Sequence, residues 1–225
     1  MKRLLAILIL AAMLAIPQMA TAEGTGMYLA PKFLMSIQNT GVVSRSWTLA
    51  GSGVDEYSQF TLGGALAIGL DLWEQQMIPL RLEVEFALRG DSEQDWTDNG
   101  RFTSQVKGLW NNSTLFANAF WDFHNDSPFT PYLGAGIGMA FNYTGYEVTL
   151  KNGDTYSADD RFTNLAWNVG AGFSYDLNDF IALDASYRFV GLGYNEISKT
   201  VDGITAKIEN EPYNNEFMVG LRLSF

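Results

Sequence analysis

The sequence predicts an all-β protein, an eight-stranded antiparallel up-and-down transmembrane β-barrel with short periplasmic turns and four long extracellular loops. Three observations carry this prediction. Bulky apolar residues alternate with small or polar residues over eight segments. Tight turns alternate with long polar connections. No run after residue 22 contains the roughly 18 uncharged apolar residues that a spanning helix needs, so any crossing must use strands.

The first four predicted strands are 27–37, 60–72, 78–89 and 115–123. In the first, Met, Leu, Pro, Phe and Ile alternate with Tyr, Ala, Lys and Ser. The second sets Phe, Leu and Ile against Thr, Gly and Ala, and the third sets Leu, Val and Phe against Arg and Glu. The fourth is the least regular, because Phe116 and Phe120 lie on its otherwise polar face. Period two over such lengths indicates a strand with two different environments.

The last four predicted strands are 129–142, 164–176, 181–189 and 216–225. The first two of these set large apolar residues against Gly, Asn and Ser, and the last two set them against Asp, Glu and Arg. The predicted turns are 73–77, 124–128 and 176–179, and the predicted loops are 38–59, 90–113, 143–162 and 191–212. Each strand is close to the roughly 9 to 11 residues that a tilted strand needs to cross a bilayer.

A soluble up-and-down barrel of the lipocalin type is the alternative with the same strand number. Such a barrel keeps large apolar residues inside and polar residues outside. Here glycines occupy positions 134, 136, 138, 170 and 172 of the non-apolar faces. A row of small residues fits the narrow lumen of an eight-stranded barrel, whereas on a solvated exterior it would only weaken the strands. This favours the membrane barrel.

Composition excludes several classes of protein. Of the 225 residues 47% are hydrophobic, which excludes a disordered chain, and the absence of Cys excludes disulfides, thiolate metal sites and a thiol nucleophile. The chain has 25 acidic and 14 basic residues without a basic cluster, so we expect no nucleic-acid partner.

The first 22 residues have the three parts of an export signal. Lys2 and Arg3 precede an apolar core at 4–16, and 20–22 read Ala-Thr-Ala, a small-x-small cleavage site. We expect 1–22 to be a cleaved signal peptide and 23–225 to form an outer-membrane β-barrel domain with both termini in the periplasm. An uncleaved N-terminal membrane anchor is the alternative.

The chain resembles the OmpA-like and opacity-type family of small outer-membrane β-barrels of Gram-negative bacteria. The resemblance lies in Trp-Asp-Phe at 121–123, in Phe-Thr-Pro-Tyr-Leu-Gly-Ala-Gly-Ile-Gly at 129–138, and in the terminal strand that ends at Phe225. It implies a scaffold in the outer membrane rather than an activity. It also implies that the last strand carries the signal read by the outer-membrane assembly machinery, through Phe217, Val219, Leu221, Leu223 and Phe225.

The polar faces predict a lumen plugged by ion pairs, because unpaired buried charges are very costly. Facing residues of a hairpin have a constant index sum, which predicts the pair Asp71–Arg81 and, to within a diagonal step, the pairs Asp184–Arg222 and Arg188–Glu216. A gate that opens a small ion-conducting path is the alternative reading of the same charges. The expected lumenal network comprises Lys32, Asp71, Arg81, Glu83, Glu85, Arg89, Asp122, Asp184, Arg188, Glu216 and Arg222.

Three features of the loops and turns are candidate sites. Arg89-Gly90-Asp91 is the R-G-D tripeptide that integrins read, at the start of a predicted extracellular loop, and is a candidate adhesion motif. His124 lies beside Asp126 and Ser127, but adjacent turn residues do not supply the converging geometry of a catalytic triad. Acidic clusters in the loops lack the ligand spacing of a calcium loop; they lie at 91–98 and 154–160.

The sequence thus predicts a non-enzymatic outer-membrane protein with a structural or surface role, without a cofactor or bound metal. Its expected partners are outer-membrane lipid and lipopolysaccharide, the assembly machinery, and a host or surface ligand at the loops. A small gated ion channel or porin-like transporter is the alternative, and a lipid-modifying enzyme is a distant one. A wide diffusion porin is excluded, because aqueous channels need roughly 16 strands.

Overall fold

The computed structural model describes residues 25–39, 43–46, 58–97, 103–151, 153–201 and 204–225, so the predicted signal peptide lies outside the described residues. None of the helices in these ranges is long and apolar enough to cross a membrane. The elements in chain order are β1 (Met27–Asn39), β2 (Val43–Ser46), β3 (Ser58–Asp71), α1 (Trp73–Gln76), β4 (Leu80–Arg89), β5 (Ser92–Thr97), β6 (Thr103–Asp122), β7 (Phe129–Leu150), β8 (Thr155–Asn178), β9 (Ile181–Gly191), β10 (Asn195–Val201), β11 (Ile204–Asn210) and β12 (Tyr213–Ser224).

Eight of these strands close into an antiparallel barrel in the order β1, β3, β4, β6, β7, β8, β9, β12. Pairing of β4 with β6 and of β12 with β1 leaves the barrel without an edge. Every backbone polar group of a closed barrel can therefore be satisfied inside hydrocarbon, which an open sheet could not achieve. The fold class predicted from the sequence is confirmed.

Strand β4 shows which side chains face the lumen of the barrel and which lie on its outer surface. Its charged residues Arg81, Glu83 and Glu85 are at most 4% exposed. The alternate residues Val84 and Phe86 are exposed, although they are large and apolar. The other barrel strands also turn most of their bulky side chains outward to lipid, and the lumen is filled by polar side chains together with a few buried apolar ones such as Leu34 and Phe116. A lipocalin-type barrel would have the opposite orientation.

The predicted loops 90–113 and 143–162 are wrong over much of their length. Strands β6, β7 and β8 contain 20, 22 and 24 residues, and β5 pairs with β6 in the same region. These segments are polar, and the sequence therefore predicts loops there. A strand that extends beyond the bilayer has water on both faces and needs no apolar alternation. Beyond the barrel, β10, β11 and β2 form a separate three-stranded sheet.

The two ends of the barrel differ. At one end, which we call the turn end, the connections are α1, the segment 123–128 and the residues 179–180. There Phe225 N donates to Met27 O at 3.0 Å, and Thr25 Oγ1 donates to Phe225 O, so the first and last barrel strands are joined at their tips. The opposite end, which we call the loop end, carries the long strand extensions.

Two glycines of β7 differ in how closely other atoms approach them. A Cβ on Gly138 would lie 2.8 Å from Phe116 Cα and closer still to the Leu115 carbonyl oxygen, both backbone atoms of β6. A Cβ on Gly145, in the extension of the same strand, would meet its nearest atom, Tyr143 Oη, at 3.3 Å. Only the first substitution requires the strands to move apart.

We therefore expect Gly138→Ala to cost about 1–3 kcal/mol, the usual cost of overpacking. Gly145→Ala is the matched control and should fold like the wild type, because the end of a tyrosine side chain can move. The fraction folded can be followed by the shift in gel mobility between boiled and unboiled detergent samples over a urea series. Equal urea midpoints for the two variants would show that the β6–β7 contact does not require glycine.

Candidate functional site: the ion-paired lumen

The centre of the lumen contains a chain of alternating charges. Lys32 Nζ lies 2.5 Å from Glu83 Oε1 and 2.8 Å from Glu85 Oε2. Arg188 Nη1 lies 2.6 Å from the other oxygen of Glu85, and Arg188 Nε lies 2.8 Å from Glu216 Oε2. These side chains are at most 6% exposed. The chain crosses the barrel, because β9, which carries Arg188, lies opposite β4.

Glu216 is the most highly connected carboxylate of this chain. Besides Arg188, it accepts a hydrogen bond from Arg89 Nε at 2.5 Å. Asn214 Nδ2 and Ser36 Oγ donate to the same oxygen at 3.2 and 3.4 Å. Three cations, Lys32, Arg188 and Arg89, thus balance the carboxylates Glu83, Glu85 and Glu216. Balanced and hydrogen-bonded charges are what a low-dielectric interior requires.

Towards the loop end the chain continues through uncharged polar side chains. Asn214 Nδ2 donates to Asn112 Oδ1 at 3.2 Å, and Asn112 Nδ2 donates to Gln38 Oε1 at 2.8 Å. Gln38 Nε2 donates to Thr61 Oγ1 at 2.7 Å and to Gly90 O at 3.2 Å. These residues are absent from the network predicted from the sequence, because that prediction rests on charged residues alone. Their inward positions in the strand alternation were the signal that could have found them.

Towards the turn end a second pair closes the lumen. Arg81 donates to both carboxylate oxygens of Asp122, at 2.9 and 3.1 Å. Its guanidinium also lies 4.8 Å from the centre of the Phe120 ring and 4.7 Å from that of Tyr132. Tyr132 Oη in turn donates to Asp184 Oδ1 at 2.8 Å. A bidentate contact between aromatic rings holds this arginine in a fixed position.

Of the three pairs predicted from index sums, Arg188–Glu216 forms as described. Asp71 lies opposite Arg81 in the strand register, but Arg81 binds Asp122 on the other neighbouring strand instead. Asp184 lies one diagonal step from Arg222 in the register, but it accepts its hydrogen bond from Tyr132 instead. The prediction of these two pairs is wrong, because it considered only the two strands of one hairpin.

The R-G-D tripeptide is not presented as a loop motif. Arg89 is the last residue of β4, and its buried side chain binds Glu216 and Thr114 inside the lumen. Asp91 is exposed and accepts a hydrogen bond from Asn111 Nδ2 at 2.8 Å. The interpretation of 89–91 as an adhesion motif is therefore wrong, because a receptor would need the arginine and the aspartate together in solvent.

We expect bacteria that carry the Asp91→Ala variant to bind to integrin-bearing cells as well as bacteria that carry the wild type. Asp95→Ala, another exposed acidic residue of the same region, is the matched control. Counting adherent bacteria for wild type and both variants checks this expectation. A loss of adhesion specific to Asp91→Ala would restore the tripeptide as a motif.

His124 lies at the turn end and does not meet a nucleophile. Its ring stacks on Trp73, with centroids 4.0 Å apart and an interplanar angle of 9°. Ser127 Oγ donates instead to Asn125 Oδ1 at 2.5 Å. No group of three or more potential metal ligands occurs among the described residues, which include the acidic positions 91–95 and 154–160 but not Asp98.

The terminal strand β12 turns one row of apolar side chains outward. Phe217 and Val219 are exposed, and Leu221, Leu223 and Phe225 are half-buried. The row is thus in the position from which another protein or lipid could contact it.

A closed barrel with an apolar exterior and a charge-paired interior defines an integral outer-membrane β-barrel protein. The family model for the outer membrane protein beta-barrel domain matches residues 6–225, and the chain belongs to this family. It is an outer-membrane protein of the Gram-negative type.

Individual relatives agree with this assignment. The outer membrane protein PagN of Salmonella typhimurium is 29% identical over 242 aligned residues, which cover all of both chains. Two solved structures share the fold. The outer membrane protein OprG from Pseudomonas aeruginosa has a TM-score of 0.54 at 15% identity and covers 90% of this chain and 98% of its own. The outer membrane protease OmpT from Escherichia coli has a TM-score of 0.51 at 7% identity, with the same coverage.

Proposed function

We propose that this protein is a non-enzymatic surface protein that uses a plugged barrel to display a binding surface outside the cell. The observation that carries the proposal is the filled lumen. Hydrogen bonds of 3.2 Å or less connect Tyr28, near the turn end, to Gly90, at the loop end, through the central ion pairs. A barrel filled in this way acts through its surfaces rather than through a pore.

The strand extensions supply such a surface. Strand β8 has 24 residues, more than twice the roughly 9 to 11 that cross a bilayer. At about 3.3 Å per residue, the residues beyond the bilayer reach roughly 30 Å or more along the strand. Because β7 and β8 pair continuously from Thr149 and Thr155 down into the barrel, the extension is a rigid hairpin rather than a loose loop.

The charge of the extension indicates the kind of ligand. Exposed acidic residues outnumber exposed basic residues on the described parts of β5 to β8. Lys107, one of the basic residues, is already paired with Glu93 at 3.0 Å, and this hydrogen bond raises the pKa of Lys107. The ligand should therefore be a neutral or basic surface, such as a protein, and polyanions such as heparin should be repelled.

The orientation follows from the same proposal. The turn end would face the periplasm and the loop end the exterior, since outer-membrane barrels carry short turns inside and long connections outside. Residues 1–22 would be removed on export, and the outward row Phe217, Val219, Leu221, Leu223 and Phe225 would be read by the assembly machinery. Lipid and lipopolysaccharide would contact the apolar exterior.

Truncation of the β7–β8 hairpin tests the surface role. Tyr146 and Ala158 are partners in the register, so residues 147–157 can be replaced by Asn-Gly without changing the barrel. In a non-adherent Gram-negative host, the full chain should increase attachment to cultured host cells, and the truncated chain should not. Heparin should not compete. The proposal fails if both chains, folded and exposed equally, attach equally well.

Two further measurements address the alternatives. Planar bilayers containing the protein should show near-zero conductance, and sustained single-channel openings would contradict the plugged barrel. Asp71→Ala, which removes a carboxylate outside the central ion pairs, should show the same near-zero conductance. Lipid A mass spectra should be identical with and without the protein, and a new acylated or deacylated species would contradict the non-enzymatic role.

A further inference from the structure

A cavity of about 660 Å³ opens at the turn end of the barrel. Asp71, Trp73, His124 and Arg222 are among its lining residues. Arg81, which lies opposite Asp71 in the register, is buried and bound to Asp122. The Arg81–Asp122 pair therefore separates the cavity from the rest of the lumen. We call this cavity at the turn end the cup. Its volume is in the range of about 300–1,000 Å³ in which proteins bind small molecules.

Arg222 differs from the other lumenal arginines. Arg81, Arg89 and Arg188 each donate a hydrogen bond of 2.9 Å or less to a carboxylate. Arg222 Nη2 lies 3.7 Å from Asp176 Oδ1, which is longer than a hydrogen bond. Arg222 Nη1 is buried and has no hydrogen-bond partner, although the guanidinium carbon lies 5.8 Å from the centre of the Tyr28 ring. A guanidinium with an unused buried donor is a ready partner for a ligand carboxylate.

Carboxylates surround this guanidinium. Asp71, Asp176 and Asp179 line the same cavity. Asp71 Oδ1 accepts a hydrogen bond from Trp73 N at 3.0 Å, whereas the Asp176 side chain is half-exposed and Asp179 is exposed. Three carboxylates against one guanidinium repel a multiply charged anion and attract an ammonium group.

The wall of the cup also contains the stacked rings of Trp73 and His124. Their nearly parallel planes offer a flat apolar surface, and His124 Nδ1 is buried without a partner. The wall therefore offers a flat ring surface beside the charged groups.

We propose that the cup binds a small zwitterion of amino-acid or dipeptide size. The ligand carboxylate lies on Arg222, its ammonium group lies between Asp176 and Asp179, and its body lies against Trp73 and His124. With the turn end in the periplasm, the source is a peptide or amino acid of that compartment. The binding itself does not depend on the surface role proposed above, so the two can fail separately.

Dialanine is the probe for this site, titrated calorimetrically into the full chain in detergent micelles. N-acetyl-dialanine lacks the ammonium group and dialaninamide lacks the carboxylate, and each should bind about tenfold more weakly, or about 1.4 kcal/mol less favourably. No binding of dialanine at roughly 10 mM would overturn the proposal. Inorganic phosphate binding as tightly as dialanine would also overturn it, since the cup would then be a simple anion site.

Variants locate the binding. Arg222→Met should weaken dialanine binding about tenfold, and Arg222→Lys should retain part of it. Asp179→Asn, in an exposed turn, tests the ammonium partner without touching the barrel interior and should also weaken binding. Asp95→Asn, at the other end of the molecule, is the matched control and should bind like the wild type. Unchanged affinity in folded Asp179→Asn would place the ligand elsewhere and overturn the assignment.

Discussion

Glu216→Gln should destabilise the barrel by about 3–5 kcal/mol, because it leaves two buried guanidiniums with too few carboxylates. Glu216 contacts both Arg89 and Arg188, and its side chain is completely buried. Glutamine has the same shape and retains one oxygen as acceptor. The loss of stability therefore measures the effect of removing the charge rather than an effect of packing. Unfolding by urea from lipid vesicles measures it.

A second variant makes the interpretation specific. Replacing Arg89 by Met together with Glu216→Gln removes one charge of each sign and leaves Lys32 and Arg188 balanced by Glu83 and Glu85. The double variant should therefore lose less stability than the sum of the losses measured for the two single variants. Asp160→Asn, an exposed carboxylate on β8, is the control and should change stability by less than about 0.5 kcal/mol. If Glu216→Gln behaved like this control, the central ion pairs would contribute nothing to folding.

Val84→Arg should cost about 2–4 kcal/mol, because it places a charge in hydrocarbon near the middle of the bilayer. Val84 lies in the centre of β4, and its side chain is 52% exposed on the outer face of the barrel. In a soluble barrel an exposed valine could become arginine at almost no cost. The variant therefore separates a lipid-facing exterior from a water-facing one.

Ser157→Arg is the matched control for this prediction. Ser157 is exposed on β8, in the extension that the structure carries beyond the membrane-spanning part of the strand. The same side chain should be tolerated there, since it points into water. Unfolding midpoints in lipid vesicles that drop equally for the two variants, or not at all, would contradict the assigned position of the bilayer.

Much of the fold could be predicted from local pattern. In β4 the alternation of Arg81, Glu83 and Glu85 with apolar neighbours is visible in the sequence, and the structure buries these three residues. The same pattern failed above the bilayer, where polar residues 103–113 and 143–150 form strands. Apolar alternation detects a strand only where its two faces meet different solvents.

The candidate site was less predictable than the fold. Arg89 could be read either as the end of a strand or as the start of an adhesion motif, and a difference of one residue in the strand boundary decides between them. Asn112, Gln38 and Asn214 form a polar layer without charge, so a prediction based on charged residues does not include them. The cup around Arg222 is a candidate site because this guanidinium lacks a hydrogen bond to a carboxylate. A sequence pattern cannot show that such a contact is missing.

The sequence by itself determined the number of strands in the barrel, the face of each of them that meets lipid, and the outer-membrane location. These follow from period-two alternation, which each segment expresses independently of the others. Only the tertiary structure decided which charges pair. Closure of the barrel brings Arg188 of β9 to Glu85 of β4, four strands away, and Lys32 of β1 to the same carboxylate. Residues far apart in sequence meet across the lumen because of the curvature and stagger of the closed sheet, and these are properties of the whole barrel.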